Sequence, residues 1–186
     1  VKPEMQRMQA AGAEAVMPWS VNAGFLSRLI NTRGQMGWDV PIVGQTTLGS
    51  GQTKALLAKT EYWAKVYPNN FRPVCYGANG NLPDRTKAFM DRLRSAKIDM
   101  SDTLLWWIAL GYDTPHLIAQ AIKNVGAEPE KIVGYWNTLK DFPGVYGDIS
   151  FTPDEHNGYP DKQIVMVEAN SLKEGAFNLA PGYGAA

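Results

Sequence analysis

AAGAEAVMPWSVNAGFLSRLINTRGQMGWDVPIVGQTT, residues 10–47, decides the fold class. Glu14 to Met17 hold the short apolar run AVM, ended by Pro18, which predicts a buried strand. Asn22 stands where a helix N-cap belongs, and Phe25, Leu26, Leu29 and Ile30 fall on one face of the helix that follows. Gly34 and Gly37 are placed to end that helix. Val40, Ile42 and Val43 then predict a second short strand, closed by Gly44. Upstream, residues 3–11 (PEMQRMQAA) have helical spacing and Gly12 stops them. Helix, strand, helix and strand at this tight spacing are the pattern of a parallel α/β sheet.

Outward from this stretch, a polar loop GQTTLGSGQ (44–52) precedes a helix predicted over about 53–66. Residues 71–76 (FRPVCY) read as a strand, with Pro73 marking an edge or a bulge. GANGNLPD (77–84) clusters Gly, Asn and Pro and reads as a linker or hinge. Helical periodicity resumes at Arg85, Phe89, Met90 and Leu93. Ser101 or Asp102 can cap a long helix reaching about Val125, kinked or broken at Pro115, which lacks an amide hydrogen and crowds the Gly111 carbonyl. A further helix is expected over 128–140. Residues 144–172 read as strand, long turn and strand, and the tail AFNLAPGYGAA (176–186) as loosely held.

Composition narrows the function classes. Of 186 residues, 18 are Lys or Arg and 18 Asp or Glu, so the formal charge is zero. That removes the basic footprint of a general nucleic-acid binder. An apolar fraction of 45% is too high for a disordered chain. A single cysteine, Cys75, allows no internal disulfide and no cysteine-rich metal site. No apolar run approaches the roughly 18 residues of a membrane span. Nothing at the amino end resembles a signal peptide, and Val1 leads straight into helical pattern, so the beginning of the protein is expected to lie upstream.

Catalytic signals are weak throughout. GQTTLGSGQTK has the glycine spacing of a phosphate-binding loop at Gly44 and Gly49. Ser50, however, stands where that loop needs lysine, and Lys54 comes too late. A strand-to-helix turn is the better reading. His116 and His156 sit in no metal-ligand spacing. Asp154, Glu155 and His156 lie in a turn of Pro, Asn and Gly. Cys75 has neither a neighbouring histidine nor a Cys-x-x-Cys partner, and Ser50 lies outside a nucleophile elbow. Trp106 and Trp107 are adjacent, about 100° apart on a helix; core packing is the default for both, with one of them able to reach a cleft or an interface. Basic residues from Arg85 to Lys97 alternate with Asp84, Asp91 and Asp99, the pattern of a solvated helix face. The sequence therefore suggests no enzyme and asks for no cofactor or metal.

The informative positions are the strand ends, since open α/β sheets bind ligands beyond the carboxyl ends of their strands. Two such ends are WSVN (19–22) and QTT (45–47). The first also opens a helix, where free amides and the helix dipole favour a carboxylate. Trp19, Ser20, Val21, Asn22, Gln45, Thr46 and Thr47 are the candidate ligand-binding residues. They offer neutral hydrogen bonds and an aromatic wall without formal charge, which suits orienting a small molecule rather than reacting with it.

Residues 10–47 resemble the second-lobe segment of type I periplasmic solute-binding proteins, the leucine/isoleucine/valine-binding family of ABC importers. That family shows an "a-G-a-d-a-V" strand, a polar loop, an "aaFLrqar-x-x-G" helix and then "vPiiG". GYDTPHLIAQAIKNVGA (111–127) resembles the family's "YDA-x-x-L-l-A-x-A-I-x-x-A-G" helix, and YGDISFTPDEHNG (146–158) its "G-x-x-x-F-d-x-x-G" turn. The three motifs stand in family order across nearly the whole chain.

The resemblance implies a two-lobed α/β receptor of which this sequence is the latter part, with most of one lobe missing. Residues 1–76 would belong to the second lobe, 77–148 to the returning, mainly helical part of the first, and 149–186 to the crossover strands and tail. It implies an extracytoplasmic, periplasmic solute-binding component that closes on a small-molecule ligand and presents it to an ABC permease. A ligand-sensing regulatory module on the same fold is the alternative, and an α/β enzyme ranks behind both. By the same resemblance, Ser20, Val21 and Asn22 match a ligand-touching loop. Thr46 matches the place where amino-acid-binding members carry a glutamate for the ligand's ammonium. The expected ligand is a small carboxylate, an aromatic or aliphatic acid or an amino-acid-like one, and the missing carboxylate favours the acids because an enclosed ammonium without it is costly. If lobe-completing strands are missing, exposed sheet edges should favour dimerisation or strand exchange.

Overall fold

A computed structural model gives the chain's architecture; it describes residues 1–101 and 104–183. In chain order the elements are α1 (Lys2–Ala10), α2 (Ala23–Gln35), β1 (Ile42–Gly44), α3 (Gly51–Ala55), β2 (Val66–Phe71), β3 (Cys75–Tyr76) and α4 (Asp84–Ser95). There follow α5 (Leu105–Val125), α6 (Pro129–Trp136), β4 (Phe142–Gly144), β5 (Gly147–Ile149), β6 (Ile164–Met166) and β7 (Phe177–Asn178). β1 and β2 pair in parallel, and β6 adds antiparallel to the far side of β2. β3 and β7 form a short parallel pair, and β4 and β5 a hairpin. The sheet is therefore mixed, with a parallel half in the stretch that predicted one.

The first region buries Met5, Leu26, Leu29, Ile30, Ile42, Leu48, Trp63 and Val66 in one cluster. The face of α2 is the expected one, and the Oδ1 of Asn22 caps it by accepting the Phe25 amide at 2.8 Å. Arg33 lies buried on the same helix. Its guanidinium donates to the backbone carbonyls of Val40, Tyr62, Ala64 and Lys65, joining the helix end to both neighbouring strands. Burial pulls its pKa below the ordinary arginine value.

Several local expectations are corrected. The run at Glu14–Met17 is not a strand: only Val16 bridges β1, at Ile42, and Met17 points into solvent. Gly34 does not end α2. It sits inside the helix under the Tyr62 ring, where an added Cβ would come within 2.3 Å of the ring. The helix expected over 53–66 is only the short α3, followed by a 3₁₀ turn at Thr60–Trp63. The side chain of Asn31 accounts for the early stop, donating to the Leu56 carbonyl and accepting the Ala58 amide. The strand expected at 71–76 begins earlier, at Val66, and a 3₁₀ turn over Arg72–Val74 interrupts it before β3.

In the helical region α4 turns Phe89, Met90 and Leu93 inward as the periodicity predicts, with Thr86 rather than the exposed Arg85 completing the buried face. α5 begins at Leu105 with no side-chain cap. Ser101 is not its cap: its own amide donates to Asp99, and Asp102 lies outside the described residues. Pro115 does not break α5, which runs unbroken to Val125. Both Pro115 and Gly111 are exposed, so the carbonyl that loses its donor can bond to water. The helix expected over 128–140 is shorter, ending at Trp136. Core packing does not hold for both tryptophans: Trp106 is half-buried, while Trp107, about 100° round the helix, is exposed. Arg85, Lys87 and Arg94 of α4 engage in exposed ion pairs with Asp148, Asp91 and Glu174.

The tail expected to be loose is firmly seated through Ala180. Ala176 and Phe177 are fully buried, and β7 pairs with β3. Phe177 packs where Gly49 leaves room: a Cβ there would lie 2.9 Å from Pro68 and 3.2 Å from the Phe177 ring. Cys75 is enclosed in the same seam, and burial pushes its thiol up to about 12.

Candidate functional site

The loop 18–22 and the loop after β1 meet because Gly44 has no side chain. A Cβ at Gly44 would stand 2.6 Å from the Pro18 carbonyl, so only glycine lets the two loops approach. Sequence reading took Gly44 as a strand stop and missed this second role. A glycine at a strand's carboxyl end beside a proline-ended apolar run was the available signal.

Gln45 is the hub of the arrangement. Its amide nitrogen donates to the Ser20 carbonyl. Its Oε1 accepts the Thr47 amide and the hydroxyls of Thr46 and Thr47, each at 3.3 Å. Ser20 in turn accepts the Asn22 amide on its Oγ at 3.1 Å. Trp19, Ser20, Val21 and Gln45 line an open depression of about 520 Å³. Trp19 is 76% exposed and Val21 80% exposed, so the loop is pinned by hydrogen bonds while its apolar groups remain in water.

The seven candidate residues divide by where their polar atoms go. Trp19, Ser20, Val21 and Gln45 surround the depression. Thr46 stands beside them, half-buried, with its hydroxyl on Gln45. Asn22 is committed to capping α2. Thr47 points into the fold: it is buried, and its carbonyl accepts the hydroxyls of Ser50 and Thr53 at 3.0 and 2.7 Å. The Asn22 cap takes the Phe25 amide and leaves those of Ala23 and Gly24, which precede the first intrahelical bond, beside the loop. None of the seven side chains carries a formal charge. Among the described residues, no group of three or more His, Cys, Asp or Glu is placed to hold a metal.

The resemblance noted in the sequence can be compared with solved folds. No family model matches this chain, and no curated protein matches it. Several solved structures do. One is the branched-chain amino acid transporter substrate-binding protein LivJ of Streptococcus pneumoniae, solved with isoleucine: TM-score 0.65, 24% identity, covering 90% of this chain and 44% of that one. Another is the leucine-binding protein LivK of Thermotoga maritima, with TM-score 0.72, 16% identity, and 96% and 47% of the two chains. A periplasmic binding protein type 1 from Bordetella pertussis gives TM-score 0.70, 19% identity, and 95% and 48%. The chain thus has the type I periplasmic-binding-protein fold, spanning about half the length of these proteins.

Proposed function

We propose that the chain is part of an extracytoplasmic solute-binding component of an ABC importer, periplasmic in location, with a membrane permease as its partner. The loops at 19–22 and 45–47 form one wall of its ligand cleft, and the rest of the protein supplies the other. The carrying observation is the depression beside the start of α2, where a strongly exposed Trp19 and Val21 stand on a backbone held rigid by Gln45. Trp19 and Val21 are exposed together on one depression rimmed by Ser20 and Gln45, and adjoining apolar groups with a polar rim suit a binding surface. The fold it shares with LivJ and LivK supports a binding role over a catalytic one.

The ligand is a small aromatic or aliphatic carboxylate. Its acid group meets the first amides of α2 and the neutral polar groups of Ser20 and Gln45, and its body lies on Trp19. Thr46 carries no charge to balance an ammonium, and its hydroxyl is already turned to Gln45. The test is a titration with benzoate and with leucine, followed by NMR at the amides of residues 19–22 and 45–47. Benzoate should move these amides and Trp19→Ala should abolish the movement. Leucine binding there, with no response to benzoate, would overturn the assignment.

A further inference from the structure

A second cavity, of about 550 Å³, opens between α4, α5 and the β4–β5 hairpin. Three elements build it by ordinary helical spacing. α4 contributes Arg85, Ala88, Phe89 and Arg92, at positions i, i+3, i+4 and i+7, so two guanidinium groups stand at either end of a small apolar floor. α5 contributes Tyr112, Asp113 and His116 from one face. The hairpin closes the third side with Phe142 and Val145.

The charges within it are unequally committed. Asp113 is buried, and its Oδ2 accepts the Val145 amide at 2.9 Å and the Tyr159 hydroxyl at 3.0 Å, so it serves to hold the hairpin on α5. Arg85 pairs with the exposed Asp148 at 2.8 Å. Arg92 is in no ion pair among the described residues. Its guanidinium stacks 5.9 Å from the Tyr112 ring centre and donates to the Tyr112 hydroxyl, a neutral group. His116 also lies against Tyr112, 4.5 Å between ring centres with the planes tilted by 32°. A planar cation held in place by an aromatic ring, with no counter-charge, is preorganised for a carboxylate.

We infer that this cavity binds a small organic anion with an apolar body, the anion meeting Arg92 at the rim and the body lying on Phe89 and Phe142. The buried Asp113 carboxylate in the lining repels an anion entering head first, which fixes the orientation with the charge outward. The site is separate from the cleft wall at Trp19. It also lies across α5 from the exposed apolar stripe of Trp107, Ile118 and Ile122, because those residues and Tyr112, Asp113 and His116 fall on opposite sides of one helix. A layer covering the stripe therefore leaves the cavity open.

Three probes with one body separate the possibilities: 3-phenylpropionate, its neutral amide, and phenethylamine as the cation. Each is titrated into the 186-residue chain with amide shifts read by NMR. 3-Phenylpropionate should move the amides of 85–92, 112–116 and 142–145, and the effect should persist in Trp19→Ala. Arg92→Gln should weaken it by about tenfold or more, and Arg92→Lys by less, since lysine keeps the charge and loses the planar fork. Far-UV circular dichroism checks that both variants keep the fold. Equal binding of the neutral amide, tighter binding of phenethylamine, an undiminished response in Arg92→Gln, or shifts confined to residues 19–22 and 45–47 would each overturn the inference.

Discussion

The first region, through β2, and the helical region of α4 to α6 use apolar residues differently. In the first, the apolar face of α2 meets β1, Leu48 and Trp63, and its residues are buried within one cluster. In the second, α5 is apolar on two sides. One side packs on α4 and the hairpin, while Trp107, Leu110, Ile118 and Ile122 remain exposed on the other. α6 has no buried residue along its length. A helix apolar all round is a helix made to be buried. The difference teaches that the first region covers its own apolar faces, whereas α5, packed on α4, the hairpin and α6, still leaves an apolar strip in water.

The sharpest way to break this comparison is to attack the first region where it is self-contained. Arg33→Ala removes a donor from four buried or half-buried carbonyls and leaves three of them unpaired, since Lys65 keeps the Ile42 amide. Unpaired carbonyls cost on the order of 1–3 kcal/mol each when they cannot reach water, so a loss of roughly 3 kcal/mol or more is expected in urea unfolding. A loss below about 1 kcal/mol would mean that the region does not depend on this clamp. A smaller effect, about 1 kcal/mol, is expected for Asn22→Ala, which deletes the α2 cap. That variant should also lower benzoate affinity if the first turn of α2 faces the ligand.

The smallest change in stability, within roughly 0.5 kcal/mol per site, is expected from Trp107→Gln, Ile118→Gln and Ile122→Gln together, because these side chains are exposed in the monomer. Their effect should appear in sedimentation instead. We expect copies of the chain to associate through this stripe as well as through sheet edges such as β6, and the triple variant to shift that equilibrium toward monomer. An unchanged concentration dependence would assign the association to the strand edges.

The comparison also explains what was legible in the sequence. α2, with its cap at Asn22 and its face of Leu26, Leu29 and Ile30, was readable because cap and periodicity are both local signals. α4, which has no side-chain cap, was readable from its periodicity alone. The stretch 53–66 was not, since its helix ends where Asn31, 25 residues earlier, captures the backbone. Nor was the seating of residues 176–180, which depends on the distant β3 and on the space above Gly49. Strand ends marked the loops at 19–22 and 45–47, but not that Thr47 turns inward while Trp19 turns out. The cavity of Arg92 escaped because its basic residues alternate with acids along the chain. Only the helix geometry places Arg92 and Tyr112 together and sends Asp91 elsewhere.

The contact of Phe177 with Gly49 and Pro68 has a consequence for the order of assembly. Phe177 is more than a hundred positions from both, so their meeting is a long-range closure whose chain entropy must be met before the contact rewards it. Until that strand arrives, the turn after β1 has an open flank and the Gln45 hub is built on an unfinished support. Competence to hold a ligand at the first loop should therefore ripen late in folding, timed by a phenylalanine that never touches the ligand.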